Sequence, residues 1–160
     1  IAFTPMGITS SFDREAMKHR FDAFLDEIEK QQIEALQELG EMCVTEMRLN
    51  KGYMMQTGAL LSSSGYSVYK DGVAIHTAFE AAQGAEGGAA AKGIRNGKAL
   101  ADKVGNETKG LSLVVVAGMN YAVYVESKGK NVIASAERLA QRELPKMLSE
   151  LISNVKSAVE

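Results

Sequence analysis

The side chains best suited to chemistry in this chain are few and scattered. Two histidines, His19 and His76, and a single cysteine, Cys43, are the strongest candidates for metal binding or nucleophilic attack. A zinc site needs three or four nitrogen or sulfur ligands at recognisable spacing, and these three residues do not supply it. His19 lies in the charged run Lys18-His19-Arg20, where a solvated helical position is expected, and Cys43 falls on an apolar stripe as a small buried hydrophobe. Ser67-Val-Tyr-Lys70 matches S-x-x-K, an acylating motif that requires serine and lysine one helical turn apart. Here the residues alternate like a strand, which sends Ser67 and Lys70 to opposite faces.

Phosphate chemistry fares no better. Gly93-Ile-Arg-Asn-Gly97-Lys98-Ala99 has one residue too few between its glycines for a P-loop, and Ala99 lacks the hydroxyl that would hold Mg²⁺. Lys92, Arg95 and Lys98, with Lys103 nearby, could touch phosphates without sequence preference. No aromatic residues are interleaved for base stacking, and Glu86, Asp102 and Glu107 dilute the charge. Asp26, Glu27, Glu29, Glu34, Glu38 and Glu41 are numerous, but a general acid–base pair needs two carboxylates in a cleft with separated pKa values. Their helical spacing describes a wet face instead. No catalytic residue, metal ligand or cofactor-binding residue emerges, and a non-enzymatic role without cofactor is expected.

The elements that position these residues follow from periodicity. From about Ser10 to Asn50, apolar residues recur at Met17, Phe21, Phe24, Leu25, Ile28, Leu36, Leu39, Cys43 and Met47, the stripe of a long helix. Ser10 and Asp13 fit its start signal. Gly40 costs about 1 kcal/mol relative to alanine in a helix interior, so a kink or break is expected there. Lys51-Gly52 should end the helix. Period-two runs on either side of Asp71-Gly72 predict a hairpin over about 63–79 with a type I′ turn. Glycines 84, 87, 88, 93, 97, 105 and 110 predict a flexible Ala/Gly-rich insertion over 80–110, with at most a short helix at Ala99 to Val104. Leu111 to Ala117, apolar at nearly every position, reads as a strand central in its sheet. Residues 121–126 fit either a strand or a single helical turn. A second long helix over 131–159, with Asn131 as N-cap and a kink near Gln141 to Leu144 caused by Pro145, completes the order.

The expected fold is therefore α+β. A long N-terminal helix and a kinked C-terminal helix pack on an antiparallel sheet of about three to four strands, in a single domain covering 1–160. The 160 residues, 46% hydrophobic and 24% charged, suit that size. A net charge of −2 gives no bulk attraction to nucleic acid or anionic membrane. No run approaches the roughly 20 apolar residues of a membrane span. Ile1 to Thr9 lacks the basic and apolar regions of a signal peptide, and a start at Ile suggests that a few native residues precede it. The lone cysteine forms no intrachain disulfide, consistent with a reducing compartment.

Two segments resemble a known family. Gln56-Thr57-Gly58-Ala59-Leu60-Leu61-Ser62-Ser63-Ser64 resembles a TG-x-L-x-x-S segment leading into a first hairpin. Val115-Val116-Ala117-Gly118-Met119-Asn120-Tyr121-Ala122-Val123-Tyr124-Val125-Glu126, followed by Gly129, is similar to V-G-x-N-x-x-YA-x-YVE-x-G. Together, in this order, they resemble the gp-ten-like tail-component proteins of siphophages, also treated as neck or tail-completion proteins. Many of those proteins read F-G-T after the glutamate, where this chain reads Ser127-Lys128-Gly129. The likeness covers roughly Gln56 to Leu151. It implies a subunit of a homo-oligomeric ring that contacts other head and tail proteins, made in the bacterial cytoplasm and carried in the virion. The matched residues Thr57, Gly58, Leu60, Asn120, Tyr121, Ala122, Tyr124, Val125, Glu126 and Gly129 would then serve structure or subunit contact. An accessory protein of a mobile element that binds nucleic acid through Lys92, Arg95 and Lys98 is the alternative.

Overall fold

The computed structural model describes residues 2–3, 8–9 and 13–159, with side chains described over 13–157. In chain order the elements are β1 (Ala2–Phe3), β2 (Ile8–Thr9), α1 (Arg14–Leu49), α2 (Ala59–Ser62), β3 (Ser64–Lys70), β4 (Val73–Phe79), α3 (Gly87–Gly105), β5 (Leu111–Ala117), α4 (Ala122–Ser127) and α5 (Ala134–Val159). The class is α+β, as the periodicities predict. The chain divides into two compact units, residues 1–31 and 32–160.

In the first unit β1 and β2 pair antiparallel, Ala2 with Thr9 and Phe3 with Ile8. The opening of α1 is capped by Asp13, whose Oδ1 accepts the backbone N–H groups of Glu15 (3.1 Å) and Ala16 (3.2 Å). Ser10, the expected cap, lies outside the described residues. The apolar stripe of this part of α1 is open at three positions: Met17 keeps 46%, Phe21 61% and Leu25 46% of their surface exposed.

In the second unit three antiparallel strands lie in the order β4-β3-β5. Asp71 (φ 50°) and Gly72 (φ 83°) make the tight hairpin turn between β3 and β4, matching the expectation for Asp-Gly. An irregularity between Val68 and Tyr69 interrupts the pairing of these strands. β5, expected in the centre, is an edge strand. It is apolar at every position but Ser112 because both its faces are covered: Val114 and Val116 pack with Tyr69, Ala101 and Phe79, while Leu113, Val115 and Ala117 pack against Leu39, Cys43, Met47 and Ala136. The central strand is β3, where a Cβ at Gly65 would meet Phe79 and Ala78 of the neighbouring β4.

Two more expectations are corrected. α1 does not break at Gly40. The missing side chain there makes room for the ring of Tyr66, which a Cβ would overlap. The region 80–110 is no flexible insertion, since it holds the 19-residue helix α3 packed on the sheet. Its buried residues Ala90, Gly93, Gly97, Ala101 and Gly105 share one face, and a Cβ would collide with Ala59 or Ser63 backbone at Gly93 and Gly97 and with the Tyr69 ring at Gly105. The glycines that looked like loop formers are a stripe for close packing. Of the two readings open for 121–126, the helical one is found: β5 ends at Ala117, and 122–127 form the short helix α4.

Tyrosine hydroxyls bond on both faces of the sheet. Tyr66 donates to Glu41 Oε1 (2.7 Å) and lies 3.1 Å from His76 Nε2, while Tyr69 donates to Asp102 Oδ1 (2.8 Å). Burial, then the bond to Glu41, raises the Tyr66 phenol pKa well above its ordinary value; burial and the Asp102 bond push Tyr69 up to about 12. Cys43 is buried, its thiol pKa raised by burial and then by Glu46, and its Sγ lies 3.7 Å from Ala136 O. Among the described residues no helix is long and apolar enough to cross a membrane.

Candidate functional site

The two matched segments, some sixty residues apart in the chain, meet in the second unit. Thr57-Gly58 turns the chain, Gly58 at φ 85°. A Cβ there would meet Ala85, so glycine is required by both conformation and space. Thr57 O accepts the Glu86 N–H (2.9 Å), and Thr57 Oγ1 lies 3.4 Å from the Ala59 N–H. Leu60 is buried with Ala59, Met119, Ala122 and Val132 in one cluster. The serines that follow are buried yet fully used. Ser62 Oγ accepts the Ala82 N–H (2.9 Å), Ser63 Oγ donates to Leu60 O (2.6 Å), and Ser63 also accepts the Gly118 N–H (3.0 Å). Gly118 belongs to the second segment, so the two segments are joined by a direct hydrogen bond.

The second segment divides into inward and outward residues. Ala122 is buried and Val125 is partly buried against the Leu60 cluster. Tyr121 and Tyr124, expected to serve structure or subunit contact, are both exposed, Tyr124 at 63%. Asn120 is exposed. Glu126 plays a structural part, since its Oε2 accepts the N–H groups of Val132 (2.7 Å) and Ile133 (2.9 Å) just before α5. Free N–H groups at a helix start attract a carboxylate by charge as well as by hydrogen bonding. Asn131, expected as the N-cap, contributes beside it by accepting the Ser135 N–H (3.0 Å). Gly129 (φ 75°) donates to Glu126 O and reverses the chain after α4.

Between the segments lies an open groove of about 860 Å³. One wall is the stretch 53–61 and the other is made by Tyr121, Tyr124 and Val125, with Lys128 and Lys130 at the rim. Burial, then the neighbouring Tyr121, pushes the Tyr53 phenol up to about 12. Lys128 Nζ sits 5.1 Å from the centre of the Tyr124 ring, and Lys51 Nζ lies 5.9 Å from that of Tyr53. Met54 stands 87% exposed beside this groove. The lining offers apolar and aromatic surface with a basic edge, which suits binding an apolar protein segment bearing acidic residues. Tyr53 and Lys130 were not singled out by sequence, and Lys128 only as part of the Ser127-Lys128-Gly129 departure; only their neighbourhood to the matched segments could have suggested them.

The remaining candidates fall elsewhere. Lys92, Arg95 and Lys98 lie on the exposed side of α3, opposite its glycine stripe. His19 is exposed on α1, and among the described residues no group of three His, Cys, Asp or Glu side chains is placed to hold a metal ion. No protein-family model matches the chain, and no curated protein or solved structure matches it either.

Proposed function

We propose that this chain is a structural component of a phage or prophage particle, working at the head–tail junction or tail end through self-assembly and contacts with other head and tail proteins. The observation that carries the reading is the convergence of Thr57–Leu61 and Tyr121–Val125 on one groove, where apolar and tyrosine surface is left uncovered. Residues matched only by resemblance thus share a place suited to protein contact. Tyrosine and methionine are enriched in such contacts, and tyrosine brings large area at small entropic cost. The role involves no catalysis and no cofactor. Assembly would take place in the bacterial cytoplasm, with the finished subunit residing in the virion.

The test is reconstitution. Purified chain is mixed with portal and tail complexes, then followed by co-sedimentation and negative-stain microscopy. Ring-shaped or collar density on those complexes is the expected result, lost when Tyr124→Glu places a charge in the groove. A chain that never joins portal or tail complexes at any concentration sinks the reading.

A second reading, an accessory protein that binds nucleic acid, draws on Lys92, Arg95 and Lys98 sharing the exposed face of α3. It requires DNA retention that falls steeply with salt and is lost when all three become alanine. Absence of retention at low salt removes it.

A further inference from the structure

The first part of α1 carries an apolar seam that stays largely exposed at Met17, Phe21 and Leu25. Met17, Phe21, Phe24 and Ile28 follow a 4-3-4 spacing, the repeat by which one helix packs along another. Phe21 and Leu25 are largely exposed, while Phe24 and Ile28 are half-buried. Over residues 14–31 the helix is about 27 Å long, enough for two full heptads of contact.

Charge selects the occupant. Arg14, Lys18 and Arg20 outweigh Glu15 and make the beginning of this stretch net basic, while Asp22, Asp26, Glu27 and Glu29 outweigh Lys30 and make its end net acidic. A second copy laid parallel would set cations against cations and carboxylates against carboxylates. Laid antiparallel, the basic end of each copy meets the acidic end of the other. In the register that pairs Phe21 with Phe24 and Met17 with Ile28, Arg20 of each copy flanks the seam next to Glu27 of the other. The same short stretch supplies the apolar seam and both halves of the charge pattern, so it is self-complementary when inverted.

We propose that residues 14–31 of α1 form an antiparallel helix pair with the same residues of a second copy. The contact is isologous and closes at two copies. Ring growth requires a different surface, so this pairing stands whether or not the chain joins a phage particle.

Sedimentation velocity of the full chain between about 1 and 500 µM tests it, a range that brackets an exposed contact of this size. A reversible monomer–dimer equilibrium is expected. It is abolished by the double change Phe21→Asp and Phe24→Asp, with circular dichroism confirming that the chain stays folded. Arg20→Glu alone should weaken the dimer about tenfold by turning two attractions into repulsions, and Glu27→Arg added in the same chain should restore it. Orientation is read by disulfide trapping. A chain bearing both Met17→Cys and Ile28→Cys should give a cross-linked dimer on oxidation, and Met17→Cys alone should not. A monomer at every concentration, a dimer indifferent to the Phe21 and Phe24 changes, failure of the charge exchange to restore pairing, or ready cross-linking through Met17→Cys alone would each overturn the proposal.

Discussion

The two parts of α1 obey the same periodicity and meet opposite fates. Leu39, Cys43 and Met47 are buried against the sheet and α5, Met47 keeping only 1% of its surface exposed, whereas Met17, Phe21 and Leu25 remain open. An apolar stripe states that a helix has a side averse to water; it does not state what covers that side. Stability of the folded unit should therefore depend on the later stripe and association on the earlier one.

Met47→Ala should strike hardest, lowering stability by about 2–5 kcal/mol in urea unfolding, because the cavity it leaves is lined by a packed cluster. Gly40→Ala comes next. In an open helix this change gains close to 1 kcal/mol, yet here the added methyl overlaps the Tyr66 ring, and a net loss of about 1–3 kcal/mol is expected. A gain would mean that α1 and β3 are not in close contact. Glu126→Gln should lose about 1–2 kcal/mol in the same measurement by removing the charge that accepts two N–H groups ahead of α5.

Alkaline pH sharpens the picture of the covered region. Tyr66 and Tyr69 have folded-state pKa values raised above the unfolded value, so their contribution is fully present below about pH 10. It is lost as pH rises through 10 to 12 and ionisation demands an exposed phenolate, with a slope of up to about 1.4 kcal/mol per pH unit for each tyrosine. Tyr66→Phe should cost about 1 kcal/mol at neutral pH and make the alkaline fall shallower. Phe21→Ser should be the mildest change, within about 0.5 kcal/mol in dilute solution, since it touches no covered cluster. A large loss at Phe21 would erase the contrast between the two parts of the helix.

Much of this architecture was legible from local pattern. The end of α1, the hairpin around Asp71-Gly72 and the long C-terminal helix follow from period and turn chemistry, which depend on near neighbours in the chain; α1 itself starts at Arg14, later than the expected Ser10. The candidate groove was legible only in fragments. Thr57–Leu61 and Tyr121–Val125 could be quoted as motifs, but their meeting depends on Ser63 receiving the Gly118 N–H and on glycines 93, 97 and 118 allowing close approach. The helix α3 escaped notice for a related reason. Glycine lowers intrinsic helix propensity, and the compensation comes from neighbours that only a smooth glycine face can approach.

By itself the sequence determined the α+β class, the two long helices and the tight Asp-Gly turn, all of which rest on interactions within a few residues. Tertiary structure alone decided that β5 lies at the edge, that a glycine-rich stretch is a packed helix, that Glu126 receives the N–H groups ahead of α5, and which half of one apolar stripe is covered. Each of those outcomes depends on the free energy of bringing distant segments into contact, and that quantity is not written in the spacing of residues along one element.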